Sequence, residues 1–196
     1  ILCPFPHHCG GASMNARTGK TLSMVYIALS AVLIALCSWV SIPAAVPFTL
    51  QTFAVLCVLS LLGGKRGVLA VLLYLLLGAI GLPVFSGFGA GVGALLGPTG
   101  GYILGFVVCA LLYWLVSALT RGRAWGRVVG LLLGLCGCYA FGTAWFVRVY
   151  SAANGPLALG TALSWCVLPF ILPDLAKLAL ALLVARRLRG ALPALA

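Results

Sequence analysis

Asp174 and Lys177 stand three residues apart in the run Pro169-Phe170-Ile171-Leu172-Pro173-Asp174-Leu175-Ala176-Lys177. On a helix that spacing puts both on one face. The carboxylate accepts hydrogen bonds from N–H groups, and the ammonium binds a carboxylate. Asp174 is the one acidic residue in 196, and its neighbours are apolar. A carboxylate inside a membrane costs about 3 kcal/mol on insertion scales, so one that persists there faces a protein interior or a cavity and has a partner. Two readings of the pair are open. Asp174 directly after Pro173 suits the start of a helix as a cap, with Lys177 neutralising it. Alternatively, the pair lines a polar pocket for a small ligand with an amide or urea at one end and a carboxylate at the other.

Pro47-Phe48-Thr49-Leu50-Gln51-Thr52-Phe53 is the second polar cluster. Thr49, Gln51 and Thr52 sit at a helix start, where capping and interhelical hydrogen bonds explain them as well as a ligand does. The third candidate is the glycine-rich stretch from Val84 to Gly101, followed by Tyr102. It is no phosphate-binding loop, because no Gly-Lys-Ser/Thr ends it. Its length and its aromatics Phe85, Phe88 and Tyr102 point to a packed loop shaped over a pocket. Cys37, Cys57, Cys109 and Cys166 lie singly in apolar runs, and Cys136-Gly137-Cys138 lacks the spacing of zinc pairs, so the cysteines read as small buried hydrophobes. No catalytic constellation is available from one acid and the two histidines His7 and His8, which argues against an enzyme.

The elements that position these residues are membrane helices. Hydrophobic residues make up 64 % of the chain and charged ones 7 %, with a mean hydropathy of +1.23. That composition requires lipid as the main solvent. The net charge of +11 lies in short clusters between apolar runs, as in a membrane protein rather than a nucleic-acid binder. Six runs are expected as helices: about 23–42, 48–62, 68–80, 102–119, 128–147 and 173–188. They are separated by the proline segment 43–47, the basic turn 63–67, the glycine-rich stretch, the basic turn 121–127 and an irregular region 148–169. Placing the N-terminus inside puts Arg17, Lys20, Lys65, Arg66, Arg121, Arg123, Arg127, Arg186, Arg187 and Arg189 on the cytoplasmic side. That is a strong positive-inside pattern with both termini cytoplasmic. Asp174, the proline segment and the glycine-rich loop then share the outer side. The expected organisation is a leader over 1–20, in which residues 1–13 read as a tag, a mis-assigned start or a disordered tail; a six-helix membrane domain over 21–190; and a cytoplasmic tail over 191–196. Ala28, Ala31 and Ala35 form a small-residue face on the first helix, suited either to packing within the chain or to docking another membrane subunit.

Pro47 through Phe53, Gly63-Gly64-Lys65-Arg66-Gly67, Tyr74 through Phe85, Gly97-Pro98-Thr99-Gly100-Gly101-Tyr102, and Pro169-Phe170 with Asp174 and Lys177 together resemble the BioY family. Its members are the biotin-specific S components of energy-coupling factor (ECF) transporters. The resemblance spans about residues 23–189. It implies a six-transmembrane-helix S-component bundle in the inner membrane of a bacterium, with a biotin pocket near the outer face. Asp174 and Lys177 would be its polar ligands, joined by Thr49, Gln51, Thr99, Tyr102 and Phe85. Biotin would be cargo, with no cofactor. The Ala28/Ala31/Ala35 face would meet a transmembrane coupling subunit joined to two cytoplasmic ATPases, which hydrolyse the ATP. Two departures from the family pattern stand out: Leu172-Pro173-Asp174 replaces a Pro-Gly-Asp order, and Ala44-Ala45 lacks a glycine often found there. An S component for another vitamin, or an oligomeric transporter working alone, are the competing readings.

Overall fold

The computed structural model describes residues 11–42 and 46–191 of the chain. The described residues are almost entirely helical: α1 (Gly11–Trp39), α2 (Gln51–Ala79), α3 (Gly91–Leu96), α4 (Gly100–Leu119), α5 (Ala124–Asn154), α6 (Leu159–Cys166) and α7 (Leu168–Ala191). A short antiparallel pair, β1 (Ser41–Ile42) and β2 (Phe48–Thr49), lies between α1 and α2 in the register Ser41↔Thr49 and Ile42↔Phe48. Among the described residues, five stretches are long and apolar enough to cross a membrane: Gly19–Trp39, Gln51–Ala79, Gly100–Leu119, Ala124–Asn154 and Leu159–Arg189. Large apolar side chains such as Met24, Leu29, Leu76, Leu115 and Leu183 are exposed around them, as expected where the outer solvent is lipid.

The second of these stretches is folded back on itself. Gly63 breaks α2 at φ 76° and ψ −175°, a conformation that essentially only glycine adopts. Residues 51–62 and 64–79 then run antiparallel. A Cβ built on Gly67 would lie 3.3 Å from the Cα of Leu59, and Gln51 Nε2 donates to the Tyr74 hydroxyl at 2.8 Å. In an unbroken helix Gln51 and Tyr74 would be about 35 Å apart. The reversal is therefore sharper than the expected five-residue turn, because residues 64–67 are already helical. This hairpin packs against α1, α4 and α7 and forms the centre of the core, with Val55, Leu56, Leu59, Val71 and Tyr74 fully buried.

α4 and α5 form the most extensive helix pair, and glycine is the reason they approach so closely. Gly130, Gly134 and Gly142 of α5 face Tyr113, Cys109 and Tyr102 of α4, Gly126 faces Thr120 just past the end of α4, and Gly101 and Gly105 of α4 face Trp145 and Cys138. A Cβ on Gly134 would meet the backbone carbonyl oxygen of Cys109 at 2.8 Å. Without a hydrophobic force between helices in lipid, this small-residue contact maximises van der Waals packing.

Several element boundaries differ from those expected. α5 extends at both ends to Ala124 and Asn154, and the region expected to be irregular contains α6. The last helix starts at Leu168 rather than Pro173, so Pro173 lies inside α7. The stretch 84–101 is structured: Ser86–Phe88 form a 3-10 turn and Gly91–Leu96 form α3. The expected leader 1–20 is helical from Gly11 onward. Its residues 1–10, most of the expected tail 191–196, and Pro43-Ala44-Ala45 lie outside the described residues.

Replacing Gly134 by Val is expected to force α5 away from α4 and to cost about 1–3 kcal/mol. Gly160→Ala, where no atom lies within 4 Å of the added Cβ, should be neutral. Thermal unfolding of the two purified variants in detergent checks both expectations.

Candidate functional site

Proline at position 173 has no N–H to offer the carbonyl of Pro169, one turn earlier in α7. Asp174 directly after it, and Lys177 one turn beyond it, project into a cavity between the helices. Asp174 lies six residues past Leu168, where α7 begins, so it does not cap the helix. Its side chain is 3 % exposed and that of Lys177 9 %. Lys177 Nζ donates to Asp174 Oδ1 at 2.8 Å and to the backbone carbonyl of Thr49 at 2.8 Å. The same ammonium sits 3.9 Å from the centroid of the Phe48 ring, a cation–π contact. Tyr139 of α5 donates its hydroxyl to Asp174 Oδ2 at 2.5 Å. Each carboxylate oxygen thus has one protein donor and a second lone pair in reserve. The three N–H bonds of Lys177 are matched by two oxygens and one aromatic face.

The cavity holds about 640 Å³ of empty space counting its mouth. Thr49 lines it from the end of β2, Gln51 and Thr52 from the start of α2, Thr99 and Tyr102 from the start of α4, and Ser86 from the 3-10 turn. Ile103, Phe106, Leu135 and Phe170 supply apolar wall. An apolar pocket with a few fixed polar groups is the usual form of a small-molecule site. The polar groups are individually oriented. Gln51 is held by Tyr74, whose hydroxyl in turn donates to the Val84 carbonyl at 3.2 Å. The Tyr102 and Thr143 hydroxyls are 2.8 Å apart.

The glycine-rich stretch closes over this end and is tied down on both sides. Trp39 Nε1 donates to the Pro83 carbonyl at 2.8 Å, Ser38 to the Val84 carbonyl at 2.5 Å, and Trp145 Nε1 to the Gly97 carbonyl at 3.0 Å. Phe85 is the plug that seats it, 1 % exposed and edge-on to Tyr74 with ring centroids 5.6 Å apart. Gly78 makes room for that ring, since a Cβ there would lie 2.0 Å from it.

Six of the expected site residues, Asp174, Lys177, Gln51, Thr49, Thr99 and Tyr102, converge on the one cavity. Phe85 does not: it belongs to the core behind the cavity wall because its ring fills the notch left by Gly78. The small-residue face of α1 also differs from the docking surface expected of it. Ala31 and Ala35 are buried, at 0 % and 7 % exposure, where α1 packs on α2, and of the three only Ala28 is exposed. The sequence reading missed Tyr139, which makes the shorter of the two hydrogen bonds to Asp174, along with Phe48 and Phe170. A hydroxyl-bearing Tyr139 in the middle of an apolar helix was the available signal.

A sequence model of the BioY family matches residues 12–194. A probable biotin transporter BioY of Pyrococcus horikoshii is 42 % identical over 145 residues, covering 74 % of this chain and 82 % of that one. The biotin transporter BioY of Thermotoga maritima is 42 % identical over 158 residues, covering 80 % and 89 %. Among solved structures, the S-component for biotin from an ECF-type ABC transporter superposes with a TM-score of 0.76 at 30 % identity, covering 88 % of this chain and 93 % of that one. With a family match over almost its entire length, and with the fold of a solved S-component, this chain belongs to the BioY family.

Proposed function

We propose that this chain captures biotin at the outer face of the cytoplasmic membrane, as the substrate-binding S component of an ATP-driven ECF transporter. The observation that carries the reading is Asp174, a buried carboxylate fixed by Lys177 and Tyr139 that still has lone pairs to offer at an apolar cavity. Biotin presents a ureido head with two N–H donors, an apolar bicycle and chain, and a terminal carboxylate. A ureido N–H on Asp174, with the bicycle against Phe106 and Phe170, matches the polar and apolar parts of the wall. Gln51, Thr49, Thr99 and Tyr102 supply further hydrogen-bonding groups along it. Lys177 already makes three contacts. Its role here is to pair with Asp174 and aim it, rather than to pair with the biotin carboxylate.

The proposed topology is six membrane passages with both termini cytoplasmic. The two arms of α2 each make one passage, which turns the five apolar stretches into six. The charge distribution supports the orientation. Lys65 and Arg66 flank the Gly63 hinge, Arg121, Arg123 and Arg127 flank the α4–α5 turn, and Arg186, Arg187 and Arg189 end α7, at the opposite end of the helices from the cavity. Release of biotin to the inside would require a transmembrane coupling subunit and two cytoplasmic ATPases.

Equilibrium biotin binding by the purified chain tests the site. Loss of one charge-assisted hydrogen bond in Asp174→Asn should weaken binding about 10- to 100-fold, and unchanged affinity would remove Asp174 from the site. Lys177→Ala should weaken biotin and biotin amide to the same extent, whereas a loss confined to biotin would assign Lys177 to the carboxylate instead. In biotin-auxotrophic cells lacking any ECF coupling module, the chain alone should support no ATP-driven uptake; accumulation there would favour a stand-alone transporter.

A further inference from the structure

At the end of the helices away from the Asp174 cavity, a second hollow lies between the first arm of α2, the start of α5 and the last turns of α7. It encloses about 890 Å³ counting its mouth. Arg127, Arg186 and Arg189 line it together with Ser60, and Val128 and Leu182 are among its apolar walls. Two features of this hollow lack a counterpart within the chain. Asp174 is the sole acidic residue of the sequence, and it is already paired with Lys177 at the other end. No side chain can therefore neutralise the three guanidinium groups. In addition, Ser60 is 2 % exposed and its buried hydroxyl has no hydrogen-bond partner among the described residues. Arg189 gives one N–H to the Ser60 carbonyl, and Arg127 reaches the Gly122 carbonyl at 3.5 Å, which leaves most of their donors unmatched.

We infer that this hollow binds the phosphate headgroup of an anionic phospholipid. Three guanidinium groups suit a phosphate diester, whose two anionic oxygens accept a pair of N–H bonds from one fork and single bonds from the others. The Ser60 hydroxyl adds a neutral donor. The apolar walls beside the arginines accommodate acyl chains, which a free anion would not occupy. Basic hollows between membrane helices near the headgroup level are suited to anionic lipid in this way. The assignment is independent of which vitamin occupies the cavity at the other end.

The test uses the full chain in neutral detergent, titrated separately with phosphatidylglycerol, phosphatidylcholine and inorganic phosphate. Bound lipid is counted by native mass spectrometry and stability is followed by thermal unfolding. Phosphatidylglycerol should be retained and should raise the unfolding temperature, while phosphatidylcholine should do neither. Arg127→Gln and Arg186→Gln should each weaken phosphatidylglycerol binding about fivefold. Arg121→Gln, on the neighbouring turn outside the hollow, should leave it unchanged. Arg189 is spared because it also braces the α2 backbone at Ser60. Equal retention of the two lipids, or phosphatidylglycerol binding indifferent to Arg127→Gln and Arg186→Gln, would overturn the assignment. Stabilisation by inorganic phosphate matching that by phosphatidylglycerol would overturn it in favour of a free-anion site.

Discussion

A carboxylate buried among apolar side chains must be compensated where it stands, and three parts of this fold meet at that compensation. α7 brings both Asp174 and Lys177, α5 brings the Tyr139 hydroxyl, and the strand before α2 brings the Thr49 carbonyl and the Phe48 ring. Removing one member would leave a buried charge without its partner, a loss of about 3–5 kcal/mol for a typical buried pair. The same network holds the carboxylate in one orientation before any ligand arrives. The cost of arranging the polar groups is then met in folding rather than in binding.

Charge is separated along the helices with little overlap. One end holds the single carboxylate, the short strand pair and the glycine-rich cover; the other holds most of the arginines and both sharp helix reversals. Between them the interior is held by shape. The α4–α5 pair relies on glycines that let backbone meet backbone, and Phe85 fills a notch that Gly78 leaves open. Neither contact requires a polar group at membrane depth, where an unmatched one is expensive.

The apolar runs, their basic punctuation and the main site residues were legible in the sequence because each has a local signature. Asp174 announces itself by composition, and Gln51 by its place with Thr49 and Thr52 in a polar cluster at a helix start. Other features depended on tertiary contact and had none. Tyr139 approaches Asp174 from 35 residues away along the chain. Phe85 looks like a loop aromatic until Gly78 is seen beneath it. Ala31 and Ala35 have the spacing of a docking face, but which helix covers them is decided by the path of α2. The start of α7 was misjudged because proline usually opens a helix, whereas Pro173 sits inside one.

The single-residue reversal at Gly63 bears on how the chain enters a bilayer. At 1.5 Å per residue the arms of α2, residues 51–62 and 64–79, measure about 18 and 24 Å, each short of the roughly 30 Å hydrocarbon thickness. In the proposed six-passage topology neither arm is an independent insertion unit, and the two partition together as a hairpin with Lys65 and Arg66 left at its tip. The most apolar part of this hairpin is also 61 % buried by protein, against 22 % for α1 and 33 % for α4. The most central element of the finished bundle is thus the one least able to lodge in lipid by itself, and biogenesis must supply its neighbours before it can settle.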